Sequence, residues 1–184
     1  MGEDWGLDVE GARVVRASSA DLETAIDILE DAFGWASSLG VRSYPPGSFR
    51  RTGSRPRAHV QEALEAGGLY LVLVGQEAAA TASLFEEDER FWPGTSRDAL
   101  YVHKLAVRRR FAGMGFGSAI LRWAEGQAVE RGKRFVRLDT SADNADLLAY
   151  YERAGFVRRG DVTDGSFPVA RFERALDERP ATMV

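Results

Sequence analysis

Leu105-Ala-Val-Arg-Arg-Arg-Phe-Ala-Gly-Met-Gly-Phe-Gly-Ser-Ala-Ile-Leu121 decides the fold, because it reads as a strand that passes through a glycine turn into a helix. Gly113, Gly115 and Gly117 clear side chains from a backbone that must bend sharply, and the following helix offers its first unpaired N–H groups to an anion. A pyrophosphate suits such a cradle. No Lys-Ser/Thr pair follows the last glycine, so the pattern is not that of a P-loop binding a magnesium nucleotide. By itself a glycine trio is equally compatible with a tight strand-to-helix turn that binds nothing.

The decisive companion is Asn144-Ala-Asp-Leu-Leu-Ala-Tyr-Tyr151-Glu-Arg-Ala-Gly155-Phe156. Together the two segments resemble the GNAT superfamily of acetyl-CoA-dependent N-acetyltransferases. The first is similar to the family's signature of a strand ending in Val, a short loop and then Gln/Arg-x-x-Gly-x-Gly/Ala, with Val107 at the strand end and Gly115 and Gly117 at the signature glycines. Ala112 stands where the signature has Gln or Arg, which removes one side-chain contact to phosphate. The second is similar to the family's Asn…Tyr…Gly-Phe segment.

The resemblance implies an α/β (α+β) domain: a mixed, mostly antiparallel sheet of about six to seven strands, flanked by about four helices. It implies acetyl-CoA as co-substrate, no metal, and transfer of an acetyl group to a primary amine of a small molecule or peptide by direct attack in a ternary complex. Coenzyme contacts are expected from Leu105, Ala106, Val107, Arg108, Arg109, Arg110, Ala112, Gly113, Met114, Gly115, Phe116, Gly117 and Ser118, with Asn144 and Tyr151 on the pantetheine side. Of the three arginines, one is expected to meet phosphate through its planar fork. A catalytically silent acyl-CoA-binding or sensory module of the same fold is the alternative, and transfer of a different acyl group is the other.

Acetyl transfer requires a group to protonate the leaving thiolate and one to accept the amine's proton. Tyr151 is the candidate acid; packing as a core aromatic is its competing role. On the strand, Tyr101, His103, Leu105 and Val107 share a face, and His103 alone among them has an ordinary pKa near neutrality. His103 is therefore the candidate base, directly or through water, against a structural role in the cleft wall. The position aligned with the Glu that related enzymes use is Tyr101. Asp139 and the acids Glu86, Glu87 and Asp88 remain as other candidates, the run from Glu86 to Arg90 also reading as a solvated loop. Asn144 has a sufficient structural role as a helix cap. Trp123 reads as core; Trp35 and Trp92 flank loops that could line an acceptor pocket.

Composition permits this and narrows the alternatives. The chain has 184 residues, 45% hydrophobic and 28% charged, the range of one compact domain, with a core expected over about 11–174 and loose termini. The absence of cysteine excludes an acyl-cysteine intermediate and a disulfide framework. A net charge of −4 argues against nucleic acid and mildly favours cationic acceptors. No long apolar span or export signal is visible, so a cytoplasmic protein without membrane partners is expected, with a homodimer admissible.

The periodicity predicts a strand at Ala12 to Arg16, then a helix capped near Ser18 to Asp21 that buries Ile26, Ile28, Leu29 and Phe33. An irregular connection from Trp35 to Arg57 is expected next, followed by a helix over His59 to Ala66. Strands are predicted at Leu69 to Val74, Ala78 to Phe85, Leu100 to Val107 and Phe135 to Asp139, and helices at Ser118 to Arg131 and Ala145 to Ala154. A closing hairpin pairs Phe156 to Arg159 with Val169 to Glu173. The tail after Leu176 is expected to be loose.

Overall fold

The structure, a computed structural model, describes residues 4–41, 44–95, 97–165 and 167–176. The expected tail after Leu176 lies outside these residues. The chain forms two compact units, residues 1–85 with 102–121, and 86–101 with 122–184. The strand entering the glycine turn and the helix leaving it each contribute to both.

The first unit contains β1 (Asp4–Gly6), β2 (Ala12–Arg16), α1 (Leu22–Ser38), α2 (Arg55–Glu65), β3 (Leu69–Val74), β4 (Glu77–Phe85), the second half of β5 (Ala99–Val107) and the start of α3 (Phe116–Glu130). Its strands follow the order β1-β2-β3-β4-β5, with β1 to β4 paired antiparallel. The core lies where α1 and α2 meet the sheet: Ala25, Ile26, Ile28 and Leu29 from α1, Val60 and Ala63 from α2, and Leu69, Leu71 and Ala106 from the strands. Ile26, Ile28 and Leu29 are buried as their spacing predicts, and Phe33 packs against the cluster.

Both helices run further than periodicity suggests. α1 continues to Ser38, and α2 starts at Arg55 because Ser54 caps it, its Oγ accepting from the Arg57 N–H at 3.3 Å with Pro56 in the first turn. Between them, residues 44–54 are irregular but tied down. The Glu30 carboxylate accepts from the N–H groups of Gly47 at 2.7 Å, Phe49 at 2.7 Å and Arg50 at 3.2 Å. Phe33, Tyr44 and Phe49 pack mutually, with ring centroids 5.0 to 5.4 Å apart.

The second unit contains the first half of β5, the remainder of α3, β6 (Phe135–Ser141), α4 (Ala145–Arg153), β7 (Val157–Asp164) and β8 (Phe167–Ala175), with strand order β5-β6-β8-β7. β8 pairs antiparallel with both β6 and β7. Val136, Leu138, Tyr151, Phe156, Ala170 and Phe172 are buried here, as are Ala124 and Ala128 of α3. The closing hairpin is longer than expected.

The α/β architecture with four helices is as expected, but the sheet has eight strands rather than six to seven. The additional strand is β1, which precedes the expected core boundary at 11. Three residues carry no readable alternation, and β1 forms because β2 presents an edge to it.

Candidate active site

The turn between β5 and α3 is built by three fixed points. The Arg108 N–H donates to the Ala79 carbonyl at 2.9 Å, the Arg109 N–H donates to the Asp31 carboxylate at 2.7 Å, and a short 3-10 turn spans Arg109–Phe111. Gly113 and Gly115 then take φ values of 79° and 85°, left-handed conformations in which a side chain would be strained. Helical bonding begins only with the Ala119 N–H donating to the Gly115 carbonyl at 3.0 Å. As a result the N–H groups of Gly113, Gly115, Phe116 and Gly117 have no partner among the described residues. Residues 112–115 are exposed, so the Gly113 and Gly115 donors lie on open surface, while Phe116 is buried and Gly117 half-buried. Aligned donors at the positive end of a 15-residue helix attract an anion.

The three arginines are engaged by the protein. Arg108 Nε donates to the Ala78 carbonyl at 2.9 Å, the Arg109 guanidinium lies 3.7 Å from the centroid of Trp35, and Arg110 forms an ion pair with Glu77. Trp35, 43% exposed, is thus a platform for Arg109. Asp31, which anchors the turn, was not legible in the sequence, since it lies 78 residues from the N–H it holds and on a helix face that reads as ordinary polar surface.

In the same unit His103 is 8% exposed. Its ring meets the rings of His59 and Phe85 edge-on, each with centroids 5.5 Å away. Both histidines of the chain therefore share one aromatic cluster, which no spacing rule anticipates for residues 44 apart.

The second unit holds the candidate acid. Asn144 caps α4, its Oδ1 accepting from the Leu147 N–H at 3.1 Å, and this sets the helix phase that turns Tyr151 inward. Tyr151 is 7% exposed and packs against Phe156 and Phe172, with centroids 6.0 and 5.6 Å away. Burial raises its pKa well above the ordinary phenol value, with smaller contributions from Tyr150 and the Asp139 carboxylate. Tyr151 and Asp139 are thus electrostatic neighbours.

Tyr101, which aligns with the family's Glu, has a structural assignment. Its hydroxyl accepts from Arg137 at 2.9 Å and shares a 3.0 Å hydrogen bond with Thr95. Arg137 in turn donates to Glu173 at 2.7 Å and covers the Trp92 ring, which is buried rather than lining an open loop. The acids before this strand are likewise committed: Glu87 pairs with Arg97 at 2.8 Å, and Asp88 accepts from the N–H groups of Arg90 and Phe91. The hydrogen bond from Lys133 to Glu86 holds that carboxyl below its ordinary pKa, which weakens it as a base.

A model of the GNAT acetyltransferase family matches residues 28–156. An uncharacterised N-acetyltransferase of Bacillus subtilis (strain 168), YesJ, is 35% identical over 107 residues, 55% of this chain and 59% of its own length. The acetyltransferase Atu2258 of Agrobacterium fabrum is 38% identical over 68 residues, 37% of this chain and 48% of that protein. The chain thus spans about three-fifths or less of these relatives. Among solved structures, a GNAT-family acetyltransferase of Listeria monocytogenes superposes with a TM-score of 0.71 at 22% identity, covering 95% of this chain and all of that one. PaiA N-acetyltransferase of Thermoplasma acidophilum, solved with coenzyme A, gives 0.67 at 17% identity over 87% of this chain and 97% of its own.

Proposed function

The chain belongs to the GNAT acetyltransferase family, and on that premise we propose that it transfers an acetyl group from acetyl-CoA to a primary amine of a small molecule or peptide in a ternary complex. The observation that carries this reading is the row of unpartnered N–H groups at Gly113, Gly115, Phe116 and Gly117, at the start of α3. Four donors that no acceptor among the described residues uses fit a pyrophosphate, and because they are backbone groups they fit it despite Ala112. PaiA, of similar fold, was solved with coenzyme A, which supports the same guest here.

In the reaction the acceptor's nitrogen attacks the thioester carbonyl carbon, an N–C bond forms, the C–S bond breaks, and the electron pair leaves on sulfur. Tyr151 supplies the proton that converts the departing thiolate to a thiol. Its raised pKa keeps the phenol protonated throughout the physiological range. His103, directly or through water, or Asp139 removes the proton that the attacking amine releases. Strand residues Leu105 to Val107 and the turn to Ser118 hold the coenzyme, and the family resemblance assigns Asn144 to its pantetheine arm.

Among the described residues no helix is long and apolar enough to cross a membrane, and we place the reaction in the cytoplasm. The test has two parts. Coenzyme A should raise the melting temperature, and acetyl-CoA with a panel of primary amines should release free thiol. A thermal shift without thiol release for any amine would support the silent acyl-CoA-binding module, for which Ala112 is the favouring observation.

A further inference from the structure

Lys104 is the one described residue other than glycine with a positive φ, 50°, and it sits in the middle of β5. A lysine has no intrinsic preference for that conformation, which L side chains rarely adopt. The distorted strand aims its side chain at the connection between α1 and α2. There Lys104 Nζ donates to the Tyr44 hydroxyl at 3.1 Å and lies 4.9 Å from the centre of its ring. Neither contact neutralises the ammonium. Among the described residues no carboxylate pairs with it, although both side chains are half-buried.

The pair is rigidly held. Tyr44 is wedged against Phe33 and Phe49, and the loop behind it is clamped by three N–H bonds to Glu30. An ammonium has three hydrogens and uses one on Tyr44; the tyrosine hydroxyl, accepting that bond, still has its own hydrogen to donate. A fixed positive charge beside a fixed hydroxyl donor is matched by a carboxylate. Lys104 lies on β5 before that strand ends at Val107, nine residues ahead of Gly113, the first donor of the phosphate turn.

We propose that Lys104 and Tyr44 recognise the carboxylate of the acceptor, and hence that the acceptor is an amino acid or another amine bearing a nearby carboxylate. The inference rests on the acetyl-transfer reading above, whose acceptor it specifies.

The test compares amino acids with their amides, which share the amine and side chain and differ in the charge to be recognised. Binding to the coenzyme A-saturated protein is measured by calorimetry, and thiol release is followed in parallel. The parent should favour acid over amide by about tenfold or more, the scale of one charge-assisted pair of hydrogen bonds. In Lys104→Met that ratio should fall close to one while the thermal shift by coenzyme A persists; Lys104→Arg should retain the ratio, and Tyr44→Phe should lower it severalfold. A parent without the preference, or a Lys104→Met that keeps it, overturns the proposal. Loss of the coenzyme A shift in Lys104→Met also overturns it, by assigning the pair to a coenzyme phosphate. Should Lys104→Met fail to fold, Tyr44→Phe decides: an unchanged ratio there overturns the proposal. Acid-selective binding without thiol release would instead sink the transfer reading and leave carboxylate recognition standing.

Discussion

The glycine turn and the helix that carries Tyr151 offer different parts of the polypeptide to the proposed chemistry. At residues 113–117 the groups on offer are backbone N–H donors, and the neighbouring arginines are occupied by Ala78, Trp35 and Glu77. On α4 the proposed acid is one buried phenol whose orientation depends on a helix cap and an aromatic cluster. A backbone site tolerates the loss of any nearby side chain but not the addition of one. A side-chain site has the opposite sensitivity.

The largest effect should therefore come from adding atoms to the turn. Gly115→Glu forces a side chain into a left-handed position and places a carboxylate beside the unpartnered N–H groups. For the parent, coenzyme A at a hundred times its dissociation constant adds about 2.7 kcal/mol of stability. Differential scanning fluorimetry should show that gain abolished in the variant, whose ligand-free melting temperature serves as control; a full shift would mean that the turn does not hold the coenzyme.

Tyr151→Phe is the converse, a deletion of one oxygen. It should leave the coenzyme A shift nearly intact and slow turnover by roughly ten to a thousandfold, the span ascribed to general acid–base catalysis. The phenol acts only while protonated, and its raised pKa keeps it so. Parent activity should accordingly show no alkaline decline attributable to Tyr151 below about pH 10, the ordinary phenol value. Stability follows the same sign: the buried neutral form favours folding fully below that value, and the contribution fades as pH rises above it. A decline near pH 8.5 that Tyr151→Phe removes would contradict the assignment.

A smaller effect, confined to the acidic side, is expected for His103. Only the neutral imidazole can accept a proton, so His103→Ala, assayed with the same acceptor, should turn over more slowly and lose the acidic limb of the parent's pH profile. An unchanged profile in a folded variant would leave the base to Asp139 or water and leave His103 as packing for His59 and Phe85. The smallest change should follow from Ala112→Arg. Restoring a side chain of the family signature beside an exposed backbone cradle should tighten coenzyme A by about 0.2–1 kcal/mol, the usual worth of a solvent-exposed ion pair, measurable by calorimetry.

Much of the first region was legible because its signals are local. Gly113 and Gly115 occupy the conformations for which glycine is suited, and Ile26, Ile28 and Leu29 are buried at the positions their period indicates. Asn144 and Tyr151 are likewise related by helical geometry within a few residues. Less was readable around Tyr101. The same strand pattern that groups it with His103 says nothing of Arg137, Thr95 or Glu173, and it is these distant partners that make Tyr101 a member of a buried hydrogen-bond network.

By itself the sequence determined the order of most strands and helices, the family resemblance, the glycine turn and the candidacy of Tyr151, since each depends on residue type and short spacing. Tertiary structure decided which polar groups are already committed and which are left over. It gave Asp31 to the start of the turn, Glu30 to the loop behind Tyr44, and the heads of Arg108, Arg109 and Arg110 to protein partners. It also bent β5 at Lys104 until that ammonium met Tyr44. These pairings join residues far apart in the chain, and their energies depend on distance and burial in three dimensions, which spacing along the sequence does not encode.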